Sequence, residues 1–169
     1  MREADLDHAF AEALEHSVHF QSWLLGGGRF ARYATRARLL HEEQANARTA
    51  KLWWKHWWCR LPDRSEGETD IFAVFQSEEG LRFALHIEDK PPHGSLEMRQ
   101  AASYRRRAAF KANDPGWLNY SDFEVLLLAP AAFLTAHKEC LAQFDRGVPY
   151  EEVAAFVPFF AEALRSGAA

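Results

Sequence analysis

Apolar residues return at helical spacing from the start of the chain. Leu6, Phe10, Leu14, Ser17, Gln21 and Leu25 trace one stripe, with Val18 and Leu24 beside it, which predicts a single helix over residues 4–25. Gly26, Gly27 and Gly28 stop it. No Gly-Lys-Ser/Thr follows them, so the glycines do not read as a phosphate loop. Residues 29–50 read as helical and basic, with breaks that the pattern does not place. Trp53, Trp54, Trp57 and Trp58 fall at i, i+1, i+4 and i+5, which suits one helix face, whereas a strand would put two on each side. Clustered indoles read first as core and second as a base-stacking platform.

The period then changes. After a loop at 62–67, residues 70–76 and 81–88 are rich in Phe, Ile and Val and predict a strand pair. A three-residue loop, Glu78-Glu79-Gly80, with a left-handed glycine at its end is a common hairpin connection. It places Ser77 opposite Leu81 and, counting back, Asp70 opposite Glu88; a two-residue loop would pair Asp70 with Ile87 instead. Pro91, Pro92 and Gly94 end the second strand. A helix is expected over 96–112, a loop over 113–122, and a buried central strand over the apolar run 123–128. Helices follow over 131–144 and 151–164, the latter interrupted by Pro158. The order predicts one mixed α/β domain over residues 1–169.

Composition agrees with a folded domain: 169 residues, 48% of them apolar, can bury a core. Two cysteines, Cys59 and Cys140, with no CxxC, read as core thiols in a reducing, cytoplasmic setting. No apolar run reaches the roughly 20 residues of a membrane span, and the acidic, amphipathic start does not read as a signal peptide. The net charge of −4 argues against a nucleic-acid partner. Its distribution argues for one. Residues 29–64 are mostly basic, and residues 99–111 carry Arg99, Arg105, Arg106, Arg107 and Lys111 with no acid. Basic blocks beside an acidic site suit a polyanion held over bound metal; solvated helical faces are the plainer explanation.

The chemistry concentrates where the two strands end. Alternation puts Glu88 and Lys90 on one face, about 7 Å apart, with Asp89 on the other. The hairpin register brings Asp70 to Glu88. Paired carboxylates repel unless a cation intervenes, and hard oxygen ligands suit Mg²⁺ or Mn²⁺. Lys90 could position a water or neutralise charge on phosphate. The competing explanation is a salt bridge between neighbouring strands.

Asp70, the Glu88-x-Lys90 triplet, and Gln100 and Tyr104 one turn apart on the next helix together resemble the PD-(D/E)XK nuclease superfamily, in its QxxxY branch of lambda-type exonucleases and resolvases. Thr69, not Pro, precedes the first acid. The resemblance covers residues 65–130. It implies a restriction endonuclease-like fold, with a mixed central sheet flanked by helices, and metal-dependent hydrolysis of DNA, less often RNA. It implies Mg²⁺, with Mn²⁺ substituting, on Asp70, Glu88 and the backbone carbonyl at Asp89. Lys90 would assist the nucleophilic water, Gln100 and Tyr104 would tune the site, and Arg105, Arg106, Arg107 and Lys111 would contact phosphates. Many members add an acid from the first helix. Glu15, on a polar stripe with His8, Glu12 and His19, is preferred here over Glu12. A homodimer stays open. The rivals are a catalytically inactive nucleic-acid-binding or assembly module on the same fold, and a protein-interaction domain built on exposed tryptophans.

Overall fold

The computed structural model describes residues 2–48 and 51–167. Thr49 and Ala50, at the end of the expected 29–50 helix, and the extreme terminal residues of the expected domain lie outside the described residues. The chain begins with α1 (Glu3–His16) and α2 (Val18–Gly26), then β1 (Ala37–Leu39) and α3 (His41–Arg48). A two-stranded ribbon, β2 (Trp57–Arg60) and β3 (Glu66–Thr69), leads into β4 (Ile71–Ser77) and β5 (Arg82–Asp89). There follow α4 (Met98–Lys111), β6 (Asp122–Ala129), α5 (Ala131–Ala136), α6 (Lys138–Leu141), β7 (Arg146–Pro149), α7 (Tyr150–Val153) and α8 (Pro158–Gly167).

The five-stranded sheet runs β1-β4-β5-β6-β7. β1, β4 and β5 pair antiparallel, while β5, β6 and β7 pair parallel. Helices cover both faces. On one, Leu6, Phe10 and Phe20 of α1 and α2 and Phe160 of α8 pack on Phe75, Phe83, Leu85 and Ile87. On the other, Tyr104 of α4 packs over Val125 and Leu127, and Trp57, Trp117 and Tyr120 over Phe72 and Val74. With both faces buried, β6 has to be apolar almost throughout, as its sequence is. Among the described residues no helix is long and apolar enough to cross a membrane.

The hairpin register is as expected. The ladder runs from Ile71↔Ile87 to Gln76↔Arg82, and the Ser77 N–H donates to the Leu81 carbonyl at 2.9 Å. Gly80 takes φ +87°, the left-handed turn position that disfavours any side chain.

Elsewhere the elements are shorter than periodicity suggests. The 4–25 helix breaks at Ser17, which is extended (φ −123°, ψ 102°) and whose Oγ accepts the Phe20 N–H to cap α2. Residues 29–48 hold a short 3₁₀ turn, β1 and α3; the helical reading is broken where residues 37–39 pair with β4. The tryptophan run is no helix: Trp53 and Trp54 sit in a turn, and Trp57 and Trp58 begin β2. Part of the expected 62–67 loop belongs to β3, which pairs with β2. The 131–144 helix breaks at His137, and residues 151–164 split into α7 and α8. The short parallel strand β7 has no counterpart in the expected order.

Candidate active site

β4 begins and β5 ends at the same edge of the sheet, so Asp70, Glu88, Asp89 and Lys90 converge there. Alternation then separates them. Glu88 shares its face with α4, and its carboxylate is almost fully buried. Its Oε1 accepts from Gln100 Nε2 at 2.5 Å and lies 2.5 Å from Lys90 Nζ. Its Oε2 is buried with no hydrogen-bond partner. Asp70 Oδ2 accepts the Asp89 backbone N–H at 3.0 Å, and the Asp70 N–H points at the Tyr104 hydroxyl at 3.4 Å. Asp70, Glu88, Gln100 and Tyr104 thus share one cavity of about 360 Å³, walled on one side by α4 and on the other by β3.

The electrostatics are those of crowded acids. Burial, and then the Glu88 carboxylate, push the Asp70 carboxyl well above the ordinary range. Burial pulls the Lys90 ammonium down, but Glu88, Asp70 and Glu3 outweigh it and hold it more firmly protonated than usual. Burial, together with Asp70 and Glu88, keeps the Tyr104 phenol neutral by raising it well above its usual value.

Asp89 points through to the opposite face, as alternation requires, and is fully buried. Its carboxylate accepts from the Tyr150 hydroxyl and lies beside Asp7 of α1. Asp7 Oδ1 and Asp89 Oδ2 have no donor of their own, and a proton shared between the two carboxyls would satisfy both. Burial and the nearby Glu3 raise Asp7 to about 7. The Asp89 side chain is therefore bound to Tyr150 and Asp7, which leaves only its backbone for the cluster, the N–H fixing Asp70.

The structure does not bring Glu15 to this cluster. Glu15 Oε2 accepts the Trp53 indole N–H at 2.9 Å, and its Oε1 lies 3.9 Å from both His16 and His41. Glu12 lines a separate groove with His8 and His16. The first-helix acids that do reach the strand ends are Glu3, 3.9 Å from Lys90, and Asp7. A signal for Asp7 existed: it is an acid set between Leu6 and Phe10 on the buried side of the helix.

The expected phosphate-contacting residues divide. Arg105 pairs with Asp145 at 2.6 Å, Arg106 with Asp63 at 2.5 Å, and Lys111 with Asp114 at 2.9 Å, at the far end of α4. Arg107 is buried and lines the cavity, bonded to Ser103 Oγ and the Glu68 carbonyl and lying over the Tyr104 ring. It packs against Gly67, where an added Cβ would come within 2.6 Å of its guanidinium. His86, one step behind Glu88 on the same face, is wholly buried between Thr69 and Tyr120. Burial, aided by Arg107, lowers its pKa to about 3, so it is a neutral core residue. His93 is exposed beyond the strand end, and Cys59 and Cys140 are buried free thiols.

Among the described residues no three His, Cys, Asp or Glu side chains stand at metal-ligand spacing. Two facing carboxylates, one with a buried oxygen lacking any partner, nevertheless form a hard-oxygen pair of the kind a divalent cation takes when backbone or water supplies the remaining ligands. Comparison with protein-family models, curated proteins and solved structures finds no match to this chain.

Proposed function

We propose that this chain is a metal-dependent nuclease of the PD-(D/E)XK type, on a restriction endonuclease-like fold, acting most naturally on DNA. The observation that carries the proposal is the register. Asp70 and Glu88 face each other across adjacent strands, and Lys90, one alternation on, touches Glu88 at the wall of a cavity. Binding alone does not require two carboxylates, one of them buried, to be held together.

Asp70, Glu88 and the Asp89 carbonyl would hold Mg²⁺ or Mn²⁺, which supplies Lewis acidity and a lowered pKa for bound water. The chain's own groups do the rest. Gln100 fixes the Glu88 carboxylate through Oε1 and leaves Oε2 free. The Asp89 N–H orients Asp70. Lys90, kept charged by its acidic neighbours, offers an ammonium to a phosphate oxygen or to hydroxide. Arg99 and Arg107 bring guanidinium groups to the cavity that Asp70 and Glu88 line. Asp7, rather than Glu15, is the first-helix acid closest in electrostatic reach.

One observation favours the second reading, an inactive module on the same fold: Lys90 already neutralises Glu88. Lys90→Ala separates the two. If the site is a metal site, the variant loses cleavage while Mn²⁺ affinity, measured by calorimetry, holds or rises, because Glu88 is released. A collapse of Mn²⁺ affinity in Lys90→Ala would show that the lysine holds the acids in place and has no part in the chemistry.

A further inference from the structure

The tryptophan run is not uniformly core. Trp53, Trp54 and Trp57 are 5%, 3% and 0% exposed, whereas Trp58 is 57% exposed. Alternation along β2 explains the difference: Trp57 and Cys59 turn into the core, and Trp58 and Arg60 turn out. Among the described residues Trp58 joins no aromatic pair and no cation–π contact, although most other large aromatics of the chain do. The exposed ring leaves an aromatic face free to take a partner.

Its position indicates what that is. Trp58 stands directly opposite Glu68 in the β2–β3 ribbon. β3 is the strand that forms the outer wall of the cavity holding Asp70 and Glu88. Near the cavity Arg60 pairs with Glu66 at 2.7 Å and Arg106 with Asp63. Arg99, exposed at the cavity, and Arg64, exposed in the ribbon turn beside the lining residue Ser65, form no ion pair among the described residues. Unpaired guanidinium groups at the cavity and in the ribbon turn, and an exposed flat ring on the same ribbon, suit the two halves of a nucleotide, phosphate and base.

We infer that Trp58 is a stacking platform for an unpaired nucleobase of the strand entering or leaving the cavity, with Arg99 on the adjacent phosphate. The inference rests on the nuclease reading and deepens it: the substrate is single-stranded or has a frayed or single-stranded end. A base inside an intact duplex has no free face to offer, so a blunt duplex gains nothing from the indole.

The test is fluorescence anisotropy with a labelled oligothymidylate and a blunt duplex of equal length, in Ca²⁺, on the wild type, Trp58→Ala and Trp58→Phe. Stacking is lost with the ring, so Trp58→Ala should bind the single strand roughly ten-fold or more weakly, with little change on the duplex. Trp58→Phe should recover most of the loss. Because Trp58 is solvated, neither variant should lower the melting temperature. Unchanged single-strand affinity in Trp58→Ala, with wild-type cleavage intact in Mg²⁺, overturns the platform and leaves the nuclease reading standing. A wild type that neither binds nor cleaves any nucleic acid overturns both.

Discussion

Asp70, immediately before β4, and His86, in the neighbouring β5, respond to pH in opposite senses. Asp70 has a folded pKa raised by burial and by Glu88. An acid raised on folding penalises the folded state once pH passes the unfolded value near 4, increasingly until the folded pKa is reached. Asp70→Asn should therefore be more stable than the wild type at pH 7 and no more stable at about pH 3. His86 has a folded pKa of about 3. Its contribution is whole above the unfolded value near 6.5 and is lost as pH falls towards the folded one. His86→Gln should consequently show a flatter decline of melting temperature than the wild type between pH 7 and 4. A variant that declines as steeply would mean that His86 is not the group being charged. The placement of Glu88 near Asp70 was readable from one triplet and one turn. Asp7 was missed, because the polar stripe of α1 draws attention to Glu12 and Glu15, while the acid that reaches the cluster lies against the apolar stripe.

At the scale of elements, β4 shows how a short motif is held. Its inner side pairs with β5 for the length of the ladder, but its outer side pairs with just three residues of β1, beyond which the Leu40 N–H donates to the Val74 carbonyl and the Phe72 N–H to the Trp54 carbonyl. Gln44 of α3, completely buried, completes that edge: Oε1 accepts from the Val74 N–H at 2.7 Å and Nε2 donates to the Phe72 carbonyl at 2.9 Å. Gln44→Ala would strand a buried donor and acceptor, at a cost of about 3 kcal/mol, read as a lower urea midpoint with an unchanged slope. A change below about 1 kcal/mol would show that water or a backbone shift replaces the side chain. The hairpin was legible because its information is local: Glu78-Glu79-Gly80 dictates the turn, and the turn dictates the register. The tryptophan run was not. Its helical spacing is a coincidence of two structures, a turn carrying Trp53 and Trp54 and a strand start carrying Trp57 and Trp58. The pairing that makes β2 a strand comes from residues 66–69, across a loop. β1 and β7, at three and four residues, are too short to show alternation, and Ser17 breaks the first helix by a single extended residue inside an unbroken apolar stripe.

For the whole molecule, charge is arranged in opposition. Glu3, Asp7, Asp70, Glu88 and Asp89 gather at one end of the sheet, and Arg105 and Arg106 of α4 are engaged with acids from outside that helix. These two arginines are nevertheless well exposed, and ion pairs of that kind are worth at most about 1 kcal/mol. Phosphates can therefore displace Asp145 and Asp63. If they do, replacing both arginines with alanine weakens duplex binding on every sequence. It also flattens the plot of log affinity against log salt by about one unit for each phosphate no longer neutralised. An unchanged slope would move the phosphate track to Arg99 and the β2–β3 ribbon.

The central claim is that two carboxylates brought together by hairpin register act through a divalent metal on a phosphodiester. Its most direct test is cleavage of plasmid, linear duplex, single-stranded and branched DNA by the wild type, Asp70→Asn and Glu88→Gln, with Mg²⁺ or Mn²⁺ and with excess EDTA. Cleavage should occur only with metal and should fall by about 100-fold or more in each variant, with the fold intact by circular dichroism. Cleavage that persists in EDTA, or that survives in both variants at the wild-type rate, would contradict it.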